Sequence, residues 1–194
     1  MKFLDKLRRY IHLSGEGPIS RRYFIMNAFD GATTVLGVVV GAYAAGITND
    51  SWVVLSGLGA TIAMGMSGFA GSYMAEEAEG AKKLNSLEKS MLTPLKNSVV
   101  GKASRFASLW AAVIGGGAPA LTGAICLVPF FLSINGIIDV SFALQISVGL
   151  ALTIMFLLGA MLGKISCRNF VVHGAKMLLV GILLTLVFFT LKLT

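Results

Sequence analysis

Five apolar runs, each of at least about 20 residues, divide this chain at about 24–47, 52–75, 105–132, 140–163 and 170–193. A helix of that length crosses the roughly 30 Å hydrocarbon layer of a bilayer. The runs therefore fix the fold class before any motif is considered: an all-α membrane protein with five transmembrane helices. Composition agrees, since 56% of the 194 residues are hydrophobic and only 13% charged, against about 25% charged in soluble domains.

The basic residues between the runs predict orientation. Lys2, Lys6, Arg8, Arg9, Arg21 and Arg22 precede the first run, and Lys82, Lys83, Lys89, Lys96, Lys102 and Arg105 separate the second from the third. Lys164, Arg168 and Lys176 flank the turn between the fourth and fifth, which leaves only Lys192 on the opposite side. The positive-inside rule then puts the N-terminus in the cytoplasm and the C-terminus outside. Two regions follow. Residues 1–22 form a cytoplasmic segment whose Phe3, Leu4, Leu7 and Ile11 share a helical face opposite Lys and Arg, the pattern of an amphipathic helix lying in the membrane interface. The sequence SGEGP is expected to turn the chain into the first span. Residues 23–194 form a single five-helix transmembrane domain with a short cytoplasmic helical loop at about 76–104. The N-terminal charges are scattered among apolar residues, unlike a signal peptide. The expected location is an integral, multi-pass membrane protein, in the cell membrane if the host is prokaryotic.

The net charge of +7 does not point to nucleic acid, because no basic stripe interleaved with aromatics sits on a soluble module. Cys126 and Cys167 lie in an apolar run and a basic turn, with no CxxC or Cys/His spacing. Neither GxSxG nor HExxH occurs, and no Ser-His pairing has a third member, so the chain is not expected to be an enzyme.

The chemistry-bearing residues are few. Asp30 is a carboxylate near one end of an otherwise uncharged run, where an ionisable group costs roughly 2.5–3.5 kcal/mol and needs a partner or a task. At about 100° per residue Asn27, Asp30 and Thr34 form one polar stripe. The second run is antiparallel to the first and carries Met64 and Met66 deeper than the acidic cluster Glu76, Glu77 and Glu79, so Asp30 and Met64 are expected at similar depths. Oxygen combined with thioether sulfur suits a transition metal better than magnesium or calcium. Helix packing remains the plainer use of Asp30 and Met64, and an i,i+4 pair with Lys83 the plainer use of Glu79. Gly37 and Gly41 have the spacing that lets membrane helices approach closely, either within one chain or between two copies. Pro119 and Pro129 are expected to bend the third span, and GGGAP at Gly115 to Pro119 to permit a close backbone contact or an irregular turn.

These residues resemble the vacuolar iron transporter family of membrane iron and manganese carriers. NAFDGATTVLGVVVGAYAAG is similar to that family's first helix, in which an Asp-Gly pair opens a small-residue run. IAMGMSGFAGSYMAEEAE resembles its second helix, with a Met at Met64 and an aromatic at Phe69, and VIGGGAPALTG and HGAKMLLVGILLTL resemble parts of its later spans. The resemblance covers nearly all of the chain after Arg22. It implies a homodimer in the bilayer, with no nucleic-acid partner and no permanently bound cofactor. The pathway would run between the two first helices, lined by Asp30 and Met64 and flanked by Asn27 and Thr34, with Gly37 and Gly41 in dimer packing. Fe2+ or Mn2+ would leave the cytosol in exchange for protons. Two departures stand out. Ser56 occupies the position of a membrane Glu common in that family, and the segment from Glu76 to Arg105 replaces a longer cytoplasmic domain rich in Glu and Met ligands. Glu76, Glu77 and Glu79 are candidates for a reduced metal-capturing patch. The alternative is a membrane protein of the same fold that does not transport and acts as a metal sensor or assembly partner.

Overall fold

The computed structural model describes residues 16–47 and 49–193, and among them it holds five helices and no strand. They are α1 (Glu16–Ala44), α2 (Asp50–Met91), α3 (Val99–Ile134), α4 (Val140–Ile165) and α5 (Phe170–Leu193). Each is long and apolar enough to cross a membrane. The amphipathic helix expected from Phe3, Leu4, Leu7 and Ile11 lies outside the described residues. The turn expected at SGEGP is corrected in part: α1 already begins at Glu16 and runs through Gly17 and Pro18. Proline is tolerated there because N–H groups in the first helical turn have no intrahelical acceptor.

The segment between the second and third apolar runs consists of the ends of two long helices. α2 extends 42 residues to Met91 and α3 starts at Val99, so only residues 92–98 connect them. This connection has its own stops. Leu92 takes a left-handed φ of 53°, and Pro94 follows. A Glu88 carboxylate oxygen accepts from the Leu95 amide at 2.6 Å, and the Ser98 hydroxyl accepts from the Gly101 amide at 3.3 Å, as an N-cap for α3. The helix α3 is continuous through GGGAP and both prolines, so the irregular turn considered from sequence does not form.

The helices divide between two compact units. The first comprises the described residues up to Phe24 with Met66–Gly117, and the second comprises Ile25–Gly65 with the residues from Ala118 onward. In the first unit α2 and α3 pack through small residues: a Cβ added to Gly115 would fall 2.8 Å from the Gly68 carbonyl oxygen. The close backbone contact expected of the Gly-rich run is therefore present.

The second unit holds the apolar core, in which Leu36, Val39, Leu127, Phe130 and Met155 are buried. Its α4 and α5 form an antiparallel hairpin whose backbones nearly touch, with a Cβ at Gly159 only 2.5 Å from the His173 carbonyl oxygen. The Ser147 hydroxyl joins α4 to α3 by donating to the Cys126 carbonyl at 2.7 Å. Many large apolar side chains face outward, among them Leu179, Leu183, Leu186 and Phe189 along α5. On a soluble protein such a surface would require a partner. On helices of this length it is the surface that lipid covers.

Candidate functional site

The rotational setting of α1 decides where Asp30 points. One side of the helix carries Ala28, Ala32, Val35, Leu36 and Val39, all buried. Gly31 lies against α3, where an added Cβ would come within 2.6 Å of the Pro119 carbonyl oxygen and 2.7 Å of its Cα. Thr122, one turn further along α3, donates its hydroxyl proton to the Ala28 carbonyl at 3.0 Å or to the Ala118 carbonyl of its own helix at 3.0 Å. With that side fixed to α3, Asp30 falls about 180° from the centre of the buried side and is exposed, as is Met26 at 54%. Its carboxylate makes no hydrogen bond or ion pair among the described residues. Asn27 and Thr34 are half-buried neighbours on α1.

Met64 is half-buried on α2 and belongs to the same unit as Asp30, whereas Met66 belongs to the other unit and is 71% exposed. Ser56 directs its hydroxyl to the Trp52 carbonyl of its own helix. It is thus engaged in backbone bonding rather than presented as a ligand.

Gly37 and Gly41 lie on the Asp30 side of α1, nearer the other end, and have a neighbour within the chain. A Cβ on Gly41 would meet the Phe188 ring of α5 at 3.2 Å, and one on Gly37 would meet the same ring at 3.8 Å and Leu184 at 3.9 Å. Within one chain, then, these glycines pack against α5. The open part of this side lies around Met26 and Asp30.

The three glutamates do not share one face: Glu77 is turned about 100° from Glu76, whereas Glu76 and Glu79, three apart, lie on the same side of α2. Glu76 accepts a hydrogen bond from the Tyr23 hydroxyl and lines a cleft of about 370 Å³ with Lys83, Leu84, Leu87 and Val100. Glu77 lines a different cleft, with Lys96 and Arg105. Glu79 lies 3.9 Å from Lys83 in an exposed i,i+4 pair, the plainer use read from sequence. Among the described residues, no group of three or more His, Cys, Asp or Glu is placed to hold a metal ion. Both cysteines are free, Cys126 buried and Cys167 exposed.

Sequence reasoning missed the contact at the start of α2 in the second unit. There Asp50, first residue of α2, accepts from the Ser133 hydroxyl of α3 at 2.6 Å. The usable signal was an acidic residue at a helix start, which complements the helix dipole.

Helix count, length and surface define the class as a multi-pass α-helical membrane protein. Within it, the chain is 34% identical over 164 residues to MJ0645, an uncharacterized protein of Methanocaldococcus jannaschii, an alignment that spans 83% of this chain and 82% of the relative. The chain belongs to the same family as that protein. No protein-family model matches it.

Proposed function

We propose that this protein is a homodimeric transporter that moves a divalent transition metal, Fe2+ or Mn2+, out of the cytosol in exchange for protons, as its resemblance to the vacuolar iron transporter family implies. The observation that supports the reading is the exposure of Asp30, without a partner, on a membrane-length helix. In a lone chain that carboxylate would face lipid at a cost of roughly 2.5–3.5 kcal/mol. In a two-fold dimer each residue near the axis meets its own counterpart. Two such carboxylates carry together the charge that one divalent ion neutralises. Protonation would discharge the ion, so a carboxylate in this position couples cation release to proton uptake. Met64 would add a soft donor that favours iron or manganese over magnesium and calcium. The N-terminus is placed in the cytoplasm and the C-terminus outside, on the distribution of basic residues.

A second reading, a metal sensor or assembly partner that does not transport, draws on the self-bonded Ser56 hydroxyl and on the dispersal of Glu76, Glu77 and Glu79. Purified protein in liposomes separates the two. With a metal-quenched dye inside and a pH gradient across the bilayer, a transporter gives Mn2+ entry with counterflow of protons. A sensor quenches dye no faster than empty liposomes do.

A further inference from the structure

The cleft that contains Glu77 has a composition that metal transport does not use. It lies between α2 and α3 within the first unit, measures about 210 Å³, and is lined by Tyr73, Glu77, Lys96, Ser104, Arg105 and Ser108. That is below the roughly 300–1,000 Å³ of a site for a drug-sized ligand, and it suits a small polar group. Neither Lys96 nor Arg105 makes an ion pair among the described residues, so the cleft presents two cations against the single Glu77 carboxylate, beside hydroxyl donors. The N-terminus of α3 lies close by and adds partial positive charge. The depth of the site is marked by Tyr73 in its wall and by the stacked Phe106 and Trp110, with ring centroids 6.3 Å apart, on the turns of α3 around Arg105. Aromatic residues concentrate at the level of lipid headgroups.

We infer that this cleft binds the phosphodiester headgroup of a membrane phospholipid. Arg105 and Lys96 would take the phosphate oxygens through charge-assisted hydrogen bonds, for which the guanidinium fork is well shaped. The Ser104 and Tyr73 hydroxyls are further donors. The Glu77 carboxylate, repulsive toward a bare phosphate ion, has a role with a phosphodiester: it accepts from the hydroxyl or ammonium of the headgroup alcohol. Basic pockets between membrane helices hold anionic headgroups in this manner.

Native mass spectrometry of the detergent-purified protein with added phosphatidylglycerol tests the assignment. Wild-type protein should retain a lipid adduct, and Lys96→Gln combined with Arg105→Gln should lower the retained fraction by more than about tenfold, since each lost charge-assisted contact alone is on that scale. Lys89→Gln, a lysine on α2 outside the cleft, should bind as wild type does. Lys96→Gln alone carries the test if the double variant does not fold. Equal retention by wild type and the cleft variants, or an equal loss with Lys89→Gln, overturns the assignment. So does inorganic phosphate that raises the melting temperature as much as the lipid does, which would make the ligand a soluble phosphate.

Discussion

The Thr122 hydroxyl lies 3.0 Å from the Ala28 carbonyl, two residues before Asp30, and ties α1 to α3 at the point where Gly31 lets the two backbones meet. This contact sets which way the helix faces. Thr122→Val keeps the shape and removes the hydroxyl, and interhelical hydrogen bonds in membranes are worth about 1 kcal/mol. A small fall in melting temperature in detergent is expected. Gly31→Ala should cost more, about 1–3 kcal/mol, because its Cβ must displace the backbone of Pro119. A Gly31→Ala protein as stable as wild type would mean that α1 and α3 are not packed as described.

Gly41 and Phe188 offer a rescue experiment. Gly41→Leu drives a side chain into the Phe188 ring, whose nearest atom is already 3.2 Å from an added Cβ. It should destabilise by about 1–3 kcal/mol as other overpacked sites do. Phe188→Ala in the same chain should recover most of that loss. If the double variant is no better than Gly41→Leu alone, the glycine serves a contact between copies rather than within one chain.

Where α2 begins, Ser133 satisfies one oxygen of Asp50, and the other carboxylate oxygen is buried without a partner among the described residues. Ser133→Ala leaves a carboxylate with less compensation, and hydrogen bonds to charged groups contribute about 1.5–3 kcal/mol. A clear loss of thermal stability is expected, and Ser133→Thr, which keeps the hydroxyl, should restore it. Unchanged stability in Ser133→Ala would show that water or lipid headgroups already satisfy Asp50.

The proposed orientation can be read from the native cysteines. Cys167 is exposed in the turn between Lys164 and Arg168, and Cys126 is fully buried. A membrane-impermeant maleimide should label Cys167 in inside-out vesicles and leave it untouched in right-side-out ones, with Cys126 reacting only after denaturation. Labelling of Cys167 in right-side-out vesicles alone would reverse the topology.

The helices were legible because lipid imposes a length and a composition on any segment that crosses it. The long ends of α2 and α3 were legible as helical but not as two single helices of 42 and 36 residues, since nothing in the polar sequence before Met91 marks a stop. Asp30 stood out as the lone carboxylate of its run. What periodicity could not supply was the partner of each small residue. Spacing shows that Gly37 and Gly41 share a face with Asp30, but only packing reveals that Phe188 takes their end of it and leaves the Asp30 end open. The same limit applies to Glu76, Glu77 and Glu79. They are one cluster in sequence but divide in space: helical rotation turns Glu77 toward Lys96 and Arg105, while Glu76 and Glu79, three apart, both lie beside Lys83.

Transport by Asp30→Asn bears most directly on the central claim. Asparagine keeps the size and hydrogen-bonding capacity of the side chain and removes its charge and titration, so the variant should insert and associate as wild type does. Measured as Mn2+ entry into liposomes at a concentration near half-saturation, its rate should fall to that of empty liposomes, with Met64→Leu retaining slower transport and a weaker preference for manganese over magnesium. Wild-type rates and wild-type metal preference in both variants would make Asp30 a packing residue and contradict the account.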